Sequence, residues 1–345
     1  MFKKIIIIFV FVLISAFCVW NCSVIVYGIR QGVGQLRIVN NARPIAEVMT
    51  DSTFPDSLKP KLLLIQEIRK FAVDSLGIKE SDNYTEVYDQ KGKPAMYIVT
   101  ASAPYQMKPY EWHFPFLGKF TYKGYFSEER AQKEEERLKE EGLDTELGTA
   151  KAWSTLGWFK DPILSEILKD EPGKIARLII HELTHGTLYI KDSVEYNENL
   201  ATFVGDQGAV LFLKYKYGME SKEMSDYIGH RGDIEKYSNH VLKGLSLMQN
   251  LYASSSFKQL DTAQKNLKKA KIIHEILMSA DTISFYDKAK FKKVLTPDFT
   301  ANNTFFLSYM MYREEQNVFE AEFRTKFNSD FKKYLAYLKG KYSSL

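Results

Sequence analysis

The sequence predicts an α+β fold that is mostly helical, with a small antiparallel sheet packed over a hairpin of two helices. Three observations predict it. Apolar residues recur at three- and four-residue intervals on both sides of a central region, the spacing of one buried helical face. Between them, from Tyr84 to Gly124, aromatic and β-branched residues cluster in short runs bounded by glycine and proline, as in strands. Two helical stretches, one closing near Gly186 and the next opening at Asp192, are joined by a short connection, which makes them antiparallel neighbours. With 45% hydrophobic residues over 345 positions, the chain can bury one sizeable core.

The N-terminal segment stands apart from that core. Lys3 and Lys4 precede an apolar run from Ile5 to Trp20 broken only by Ser15, the pattern of a targeting or anchoring segment. The run is short for a spanning helix unless Ser23 to Ile29 extends it. An export signal ending in lipidation of Cys22 is the alternative, although Val19, Trp20 and Asn21 lack the small residues expected before such a cysteine. Either way residues 1–29 are expected to tether a single domain, residues 30–345, to a membrane on its extracytoplasmic side. Cys18 and Cys22 are the only cysteines, so the domain itself holds no disulfide and no thiol nucleophile. Its 47 basic and 43 acidic residues are scattered and leave a formal charge of +4, which gives no reason to expect a nucleic-acid partner.

From Gly28 to about Ala72 the spacing predicts two helices. The first carries Gln35, Leu36, Ile38 and Val39; the second runs from Pro60 through Leu62, Ile65, Ile68 and Phe71, with Gly77 as its stop. After a polar loop at Glu80 to Asn83, strands are expected at Met96 to Ala101 and Phe114 to Tyr122. His113 is a lone histidine beside Trp112 and reads as packed or surface rather than as a ligand. Ser127 to Gly142 is a charged helix with a solvated face. Ala152 to Phe159 reads as a strand ending in a loop at Asp161-Pro162.

The next helix concentrates the chemistry. Asp170-Glu171-Pro172 supplies its start, and Leu178, Ile179, Ile180 and Leu183 surround its end with apolar residues. His181 and His185, four apart, project from one face at the spacing that clamps a single metal ion, and Glu182 lies one step off that face. Neutral imidazoles of this kind hold zinc, zinc lowers the pKa of a water to roughly 7, and the carboxylate takes the proton. Two histidines leave zinc short of a third protein ligand. The second helix, from Asp192 to about Tyr217 with Gly218 as its stop, offers Glu198 and, one turn earlier, Glu195. Glu198 is the expected ligand, because Ala201, Thr202, Gly205 and Gly208 continue from its face as a small-residue stripe that lets the two helices lie close.

Beyond Gly218 the chain is helical, with core spacing at Leu242 to Leu251 and Lys265 to Met278 and a polar break at Ser254 to Ser256. His230, His240 and His274 read as surface or capping residues. Asn302-Asn303-Thr304 opens a helix through Phe306, Tyr309 and Tyr312, and Lys326 to Leu345 is a basic amphipathic tail. There is no internal repeat and no low-complexity tract.

His181-Glu182-x-x-His185 followed by Asn197-Glu198-x-x-Ala201 resembles the gluzincin metallopeptidases, in which a glutamate on a second helix is the third zinc ligand. More closely, Ala152 to Pro162, His181 to Gly186 and Asn197 to Gly205 resemble a bacterial family of predicted aminopeptidases. That likeness extends from Gly34-Gln35-Leu36 through Ala42-Arg43-Pro44-Ile45, Phe114-Pro115 and Gly124-Tyr125-Phe126 to Asn302-Asn303. The resemblance implies a zincin-like fold, zinc held by His181, His185 and Glu198, and a peptide substrate. It also implies a role for the tyrosine that follows the asparagine pair, which makes Tyr309 the candidate for steadying an oxyanion.

The functional expectation is a zinc-dependent peptidase, in its specific form an aminopeptidase, with Glu182 as the base. Zinc peptidases bind substrate as an added strand above the metal helix, so Ala152 to Phe159 is the expected edge, with Gly157 permitting close approach and Trp158 or Phe159 lining a pocket. The same constellation also serves a zinc hydrolase of a non-peptide amide or ester, or a membrane-tethered scaffold that binds metal without turnover. Between Ser154 and Asp161 no acidic group for a free α-amine stands out, so exo- and endopeptidase action both stay open.

Overall fold

A computed structural model of the protein describes residues 22–114, 118–150, 152, 155, 159–296, 299–313 and 315–342. In chain order its elements are α1 (Cys22–Asn41), β1 (Arg43–Pro44), α2 (Ile45–Thr50), α3 (Lys59–Phe71), β2 (Glu86–Tyr88), β3 (Tyr97–Ser102), β4 (Trp112–Phe114), β5 (Gly118–Phe120), β6 (Tyr122–Tyr125), α4 (Glu128–Glu140) and β7 (Asp144–Thr149). There follow β8 (Ile163–Leu164), α5 (Pro172–His185), α6 (Val194–Tyr217), α7 (Lys222–Ala253), α8 (Ser255–Lys258), α9 (Thr262–Ser279), α10 (Asn303–Arg313), α11 (Gln316–Phe327) and α12 (Phe331–Lys341). The chain is mostly helical with small sheets, as its periodicity predicts.

The helix pair α5 and α6 sits at the centre of the main core. Ile175, Ile179 and Ile180 of α5 and Phe203, Val204 and Phe212 of α6 pack with Leu62, Ile65 and Ile68 of α3. Contacts fix their antiparallel sense, since Gly205 faces Arg177 and His181 while Glu198, about two turns earlier on α6, faces His181 and His185. The small-residue stripe is what permits this approach. A Cβ on Gly205 would lie 2.8 Å from the Arg177 carbonyl oxygen and 3.1 Å from the His181 Cβ. Gly218 ends α6 at φ +89°, and Gly77 stops the helical turn after α3 at φ +77°, conformations open to glycine without strain.

The C-terminal tail is more than a basic amphipathic surface. Phe331, Tyr334, Leu335 and Leu338 of α12 are buried in the main core beside Phe203 and Phe323. A second cluster joins α7, α9 and α10 through Tyr237, Val241, Met248, Ile273 and Phe306.

The single sheet expected from the strand region is three small ones. β6, β3 and β7 form an antiparallel sheet in that order, with Val99 opposite Lys123 on one side and Leu147 on the other. β4 and β5 form an antiparallel pair, and β1, β2 and β8 a third sheet in which β2 and β8 run parallel. Side chains alternate across the main sheet. Val99 and Ala101 pack with Ala131 and Leu138 of α4, so Ile98, Thr100, Tyr122, Glu146 and Gly148 face the other way, toward α5.

Two expectations shift. The strand that flanks β3 on this side is Asp144–Thr149, which pairs along its whole length with β3, while the expected strand Ala152 to Phe159 falls mostly outside the described residues. Ala152 and Thr155 have no regular structure, and the Thr155 amide and hydroxyl are instead fastened to the Asp161 carboxylate at 2.9 and 2.7 Å. Trp153, Ser154, Leu156, Gly157 and Trp158 lie outside the described residues. At the N-terminus, α1 starts ahead of the boundary drawn at residue 30. Tyr27 donates to the Gly124 carbonyl at 2.9 Å and stacks on Phe114, so this part of the helix belongs to the folded body. Residues 1–21 lie outside the description, and among the described residues no helix is long and apolar enough to cross a membrane.

Candidate metal centre

His181, Glu182 and His185 occupy the last turn and a half of α5, buried on the side that meets α6. The end of this helix is held by side chains. The Thr184 hydroxyl donates to the Ile180 carbonyl at 2.7 Å, and the Thr187 hydroxyl donates to Leu183 at 2.8 Å while accepting from the Lys79 amide. The connection then turns back under the control of Asn197, whose side chain accepts from the Ile190 amide at 2.9 Å and donates to the Ile190 carbonyl at 2.7 Å. That clamp brings the first turn of α6 level with the end of α5 and delivers the next residue, Glu198, to the two histidines.

The Nε2 atoms of His181 and His185 are 3.2 Å apart, and the Glu198 carboxylate oxygens lie 3.3 Å from His181 Nε2 and 3.6 Å from His185 Nε2. These spacings suit an ion. With bonds of about 2.05 Å at a tetrahedral angle, neighbouring ligand atoms on zinc stand about 3.3 Å apart. One ligand atom from each of the three residues falls within 4.8 Å of the others. Among the described residues the Nδ1 atoms of both histidines are buried without a hydrogen-bond partner, so the rings are oriented by packing and by Glu198. The group can bind a metal. Glu195, the rival ligand, is exposed and lines the rim of the same cavity rather than joining the cluster.

Burial dominates the electrostatics. It pushes the Glu182 carboxyl up to about 7 and the His181 imidazole down to about 4. For His185 burial works downward, but the Glu198 charge and hydrogen bond together with Glu182 outweigh it and its pKa is raised. For Glu198 burial works upward, and the two histidines overcome it, holding this carboxyl well below the usual range. Glu182 is therefore poised near neutrality, while Glu198 is held as an anion.

Under the cluster lies a buried ion network that the sequence reading did not single out. Asp206 accepts from Arg177 Nε at 2.6 Å and from Arg313 at 2.7 Å, tying α5, α6 and α10 together. Arg177 sits one turn before His181 on the same face, which was the available signal. Asn199 was also missed: its Nδ2 donates to the Met311 carbonyl at 2.6 Å and its Oδ1 accepts from the Glu315 amide at 3.1 Å, fixing the end of α10 over the site.

A cavity of about 610 Å³ opens above these groups, floored by the histidines, Glu182 and Glu198 and roofed by β3, β6 and β7. Its other wall is α10, with Leu307, Met310, Met311 and Tyr312. Tyr309 is not on that wall. It packs against Phe305 and Tyr237 at ring distances of 5.4 and 5.9 Å in the second cluster, because a residue three positions from Tyr312 stands about 60° away around the helix. The hydroxyls near the histidine–glutamate cluster belong to Tyr122, Tyr189 and Tyr312; burial raises all three pKa values and the Glu198 charge adds to each. Asn303 is fully buried and serves as scaffold, donating to the Ala103 carbonyl and accepting from Tyr252. His113 is exposed near Glu111, His230 lies between Glu171 and Asp287, and His240 contacts the Ile276 carbonyl. None of these lines the cavity, nor does His274.

β7 is an edge strand of this roof. The Ala150 amide bonds the Met96 carbonyl, which sets the alternation so that Leu147 and Thr149 turn their main-chain groups away from β3. Thr145, in the same phase, gives its outward carbonyl to Asn302 Nδ2 at 2.8 Å.

A family model described as "Putative aminopeptidase" matches residues 26–341, and the chain belongs to that family. Neither a search of curated proteins nor one of solved structures gave a match.

Proposed function

We propose, from that membership and from the cluster just described, that the protein is a zinc-dependent peptidase of gluzincin type, in its specific form an aminopeptidase. The observation that carries the reading is the convergence of His181, His185 and Glu198 at tetrahedral ligand spacing, with a further buried carboxylate, Glu182, beside them. Nitrogen and oxygen donors of this kind suit zinc, which when bound supplies Lewis acidity and lowers the pKa of a coordinated water to roughly 7.

The chain's own residues then have distinct tasks. Glu182 takes the proton of the attacking water and returns it to the leaving amine; a carboxyl pushed up to about 7 suits both transfers. Tyr122 or Tyr312 donates a hydroxyl to the oxygen that gains charge, the role expected earlier of Tyr309. The peptide lies along the outer edge of β7, where Leu147 and Thr149 offer main-chain groups for an added strand. Half-buried Arg177 lines the same cavity while its Nε is committed to Asp206, and it meets a substrate carbonyl or carboxylate. Ile98, Phe120, Leu307 and Met310 belong to the apolar part of the lining, which suits an apolar side chain next to the cleaved bond.

The zincin-like part of the fold is then the α5–α6 hairpin with the sheet above it. The segment ahead of α1, with Cys22 at its end, acts as the tether, by lipidation of Cys22 or as a spanning segment, and holds the catalytic domain outside the cytoplasm. Cys22→Ser separates these two, since loss of anchoring follows only if the cysteine carries the lipid. For the activity itself, the test is cleavage-site mapping on a diverse peptide library, with free and with acetylated N-termini. Zinc-dependent cleavage of free N-termini supports the aminopeptidase form, cleavage of both sets supports an endopeptidase, and no cleavage across the library overturns the peptidase reading.

A further inference from the structure

We propose that α1 and the cleft beside it form a docking face for a membrane surface rich in anionic headgroups. This rests on the tethered reading above and adds to it how the domain lies against the bilayer.

One side of α1 is held by the folded body through Tyr27, Gly34 and Ile38. The opposite side is apolar and faces outward. Ile25, Ile29, Val33 and Leu36 are 36%, 62%, 62% and 46% exposed, and at about 100° per residue they fall within an arc of roughly 80°. Gly28 and Gly32 border that arc, with open space where a Cβ would stand. An ordinary surface helix carries polar residues at such positions.

Arg37 and Arg30 come next around the helix, between the apolar arc and the body. Both are exposed and line a cleft of about 1340 Å³ whose far walls carry Lys91, Lys93 and Arg130. Among the described residues these five cations make no ion pair; of the cleft carboxylates, Asp51 and Glu134 are matched by Arg43 and by Lys123 and Arg137, and Asp89 and Glu128 form no ion pair, so unmatched cations outnumber unmatched anions. An aliphatic stripe flanked by unmatched cations is the pattern of a helix lying in a membrane interface, with side chains in the acyl boundary and cations among the headgroups. The chain itself supplies the second argument. The apolar run Ile5 to Trp20 immediately precedes α1, so a helix that leaves the tether at Cys22 starts at the membrane surface.

The test uses the full-length protein in vesicles of phosphatidylcholine, alone or mixed with phosphatidylglycerol. A photo-crosslinking residue replaces Ile29 or, as a control, Leu267, which is 74% exposed on α9. Lipid adducts should form at position 29 and not at 267, and should increase with phosphatidylglycerol. Arg30→Glu combined with Arg37→Glu should reduce them by about tenfold or more in the mixed vesicles, since each cation near such a surface contributes on that scale, while peptide turnover is unchanged. Chain-to-chain adducts at position 29 would overturn the proposal in favour of a second copy packed on the stripe. Vesicle-bound protein without lipid adducts at 29 would overturn it while leaving the tether intact. Protein that does not float with either vesicle would remove the tethered reading and this proposal with it.

Discussion

The cavity above α5 and α6 and the cleft beside α1 differ in nearly every property except that both are lined by charge. The first encloses about 610 Å³ and the ionisable groups on its floor are buried and convergent, with two imidazoles and a carboxylate within reach of one point. The second is more than twice as large at about 1340 Å³, and its unpaired arginines and lysines, Arg30, Arg37, Lys91, Lys93 and Arg130, are exposed and share no centre. Size therefore says little about which of them does chemistry. Burial strengthens each charge interaction in the small cavity and moves a carboxyl to about 7. Solvent and salt screen the cations of the large one within about 10 Å, which suits a diffuse anionic surface and not a reacting bond.

The sharpest way to break this contrast is to unpair a buried charge in one region and reverse an exposed one in the other. Asp206→Ala leaves Arg177 and Arg313 without their shared anion and should lower stability by about 3–5 kcal/mol in denaturant titration. Arg30→Glu should change it by less than about 0.5 kcal/mol. Comparable costs at the two sites would erase the distinction. Glu182→Gln keeps the size of the side chain but cannot take a proton, so peptide turnover should fall by at least about a hundredfold with metal content and melting temperature unchanged. Loss of metal in that variant would make Glu182 a support of the site instead of its base.

Smaller effects sharpen the same picture. Gly205→Ala places a methyl 2.8 Å from the Arg177 carbonyl oxygen, and prising α5 from α6 should cost about 1–3 kcal/mol in thermal unfolding. Gly28→Ala on the open side of α1 meets nothing within 4 Å and should not destabilise the fold. The pH dependence follows from Glu182. A base must be deprotonated, so kcat/KM is lost as pH falls through its pKa. Burial, as the largest cause, with the Glu198 and Asp161 charges adding and His185 and Arg177 opposing, raises that value from 4.5 to about 7, and a bound cation draws it back down. The acid limb of the rate profile should therefore lie between those two values, and a profile flat across that window would contradict the assignment.

Much of the hairpin was legible because helical spacing ties sequence to geometry within a few residues. His181 and His185 share a face by their separation of four, Gly218 marks a stop, and Gly205 and Gly208 mark a close helix contact. Long-range placement was less legible. Which segment pairs with β3 depends on a partner over forty residues away, and neither the register of Asp144–Thr149 on β3 nor the Thr155–Asp161 bonds have a local signature. Tyr309 and Tyr312 look alike in sequence, and only the packing of α10 against α7 sends one into the second core and the other to the cavity. The tail after Lys326 reads as basic because every few residues carry a lysine, yet the intervening aromatics fill the main core.

The central claim is that His181, His185 and Glu198 together hold one metal ion, and metal content measures it most directly. Purified full-length protein should carry about one zinc per chain, closing a three-ligand site. Glu198→Ala should lose it, while Glu195→Ala, three residues away on the cavity rim, should keep it with unchanged affinity. Wild-type protein that takes up no zinc, or zinc lost with Glu195 and retained without Glu198, would contradict the account.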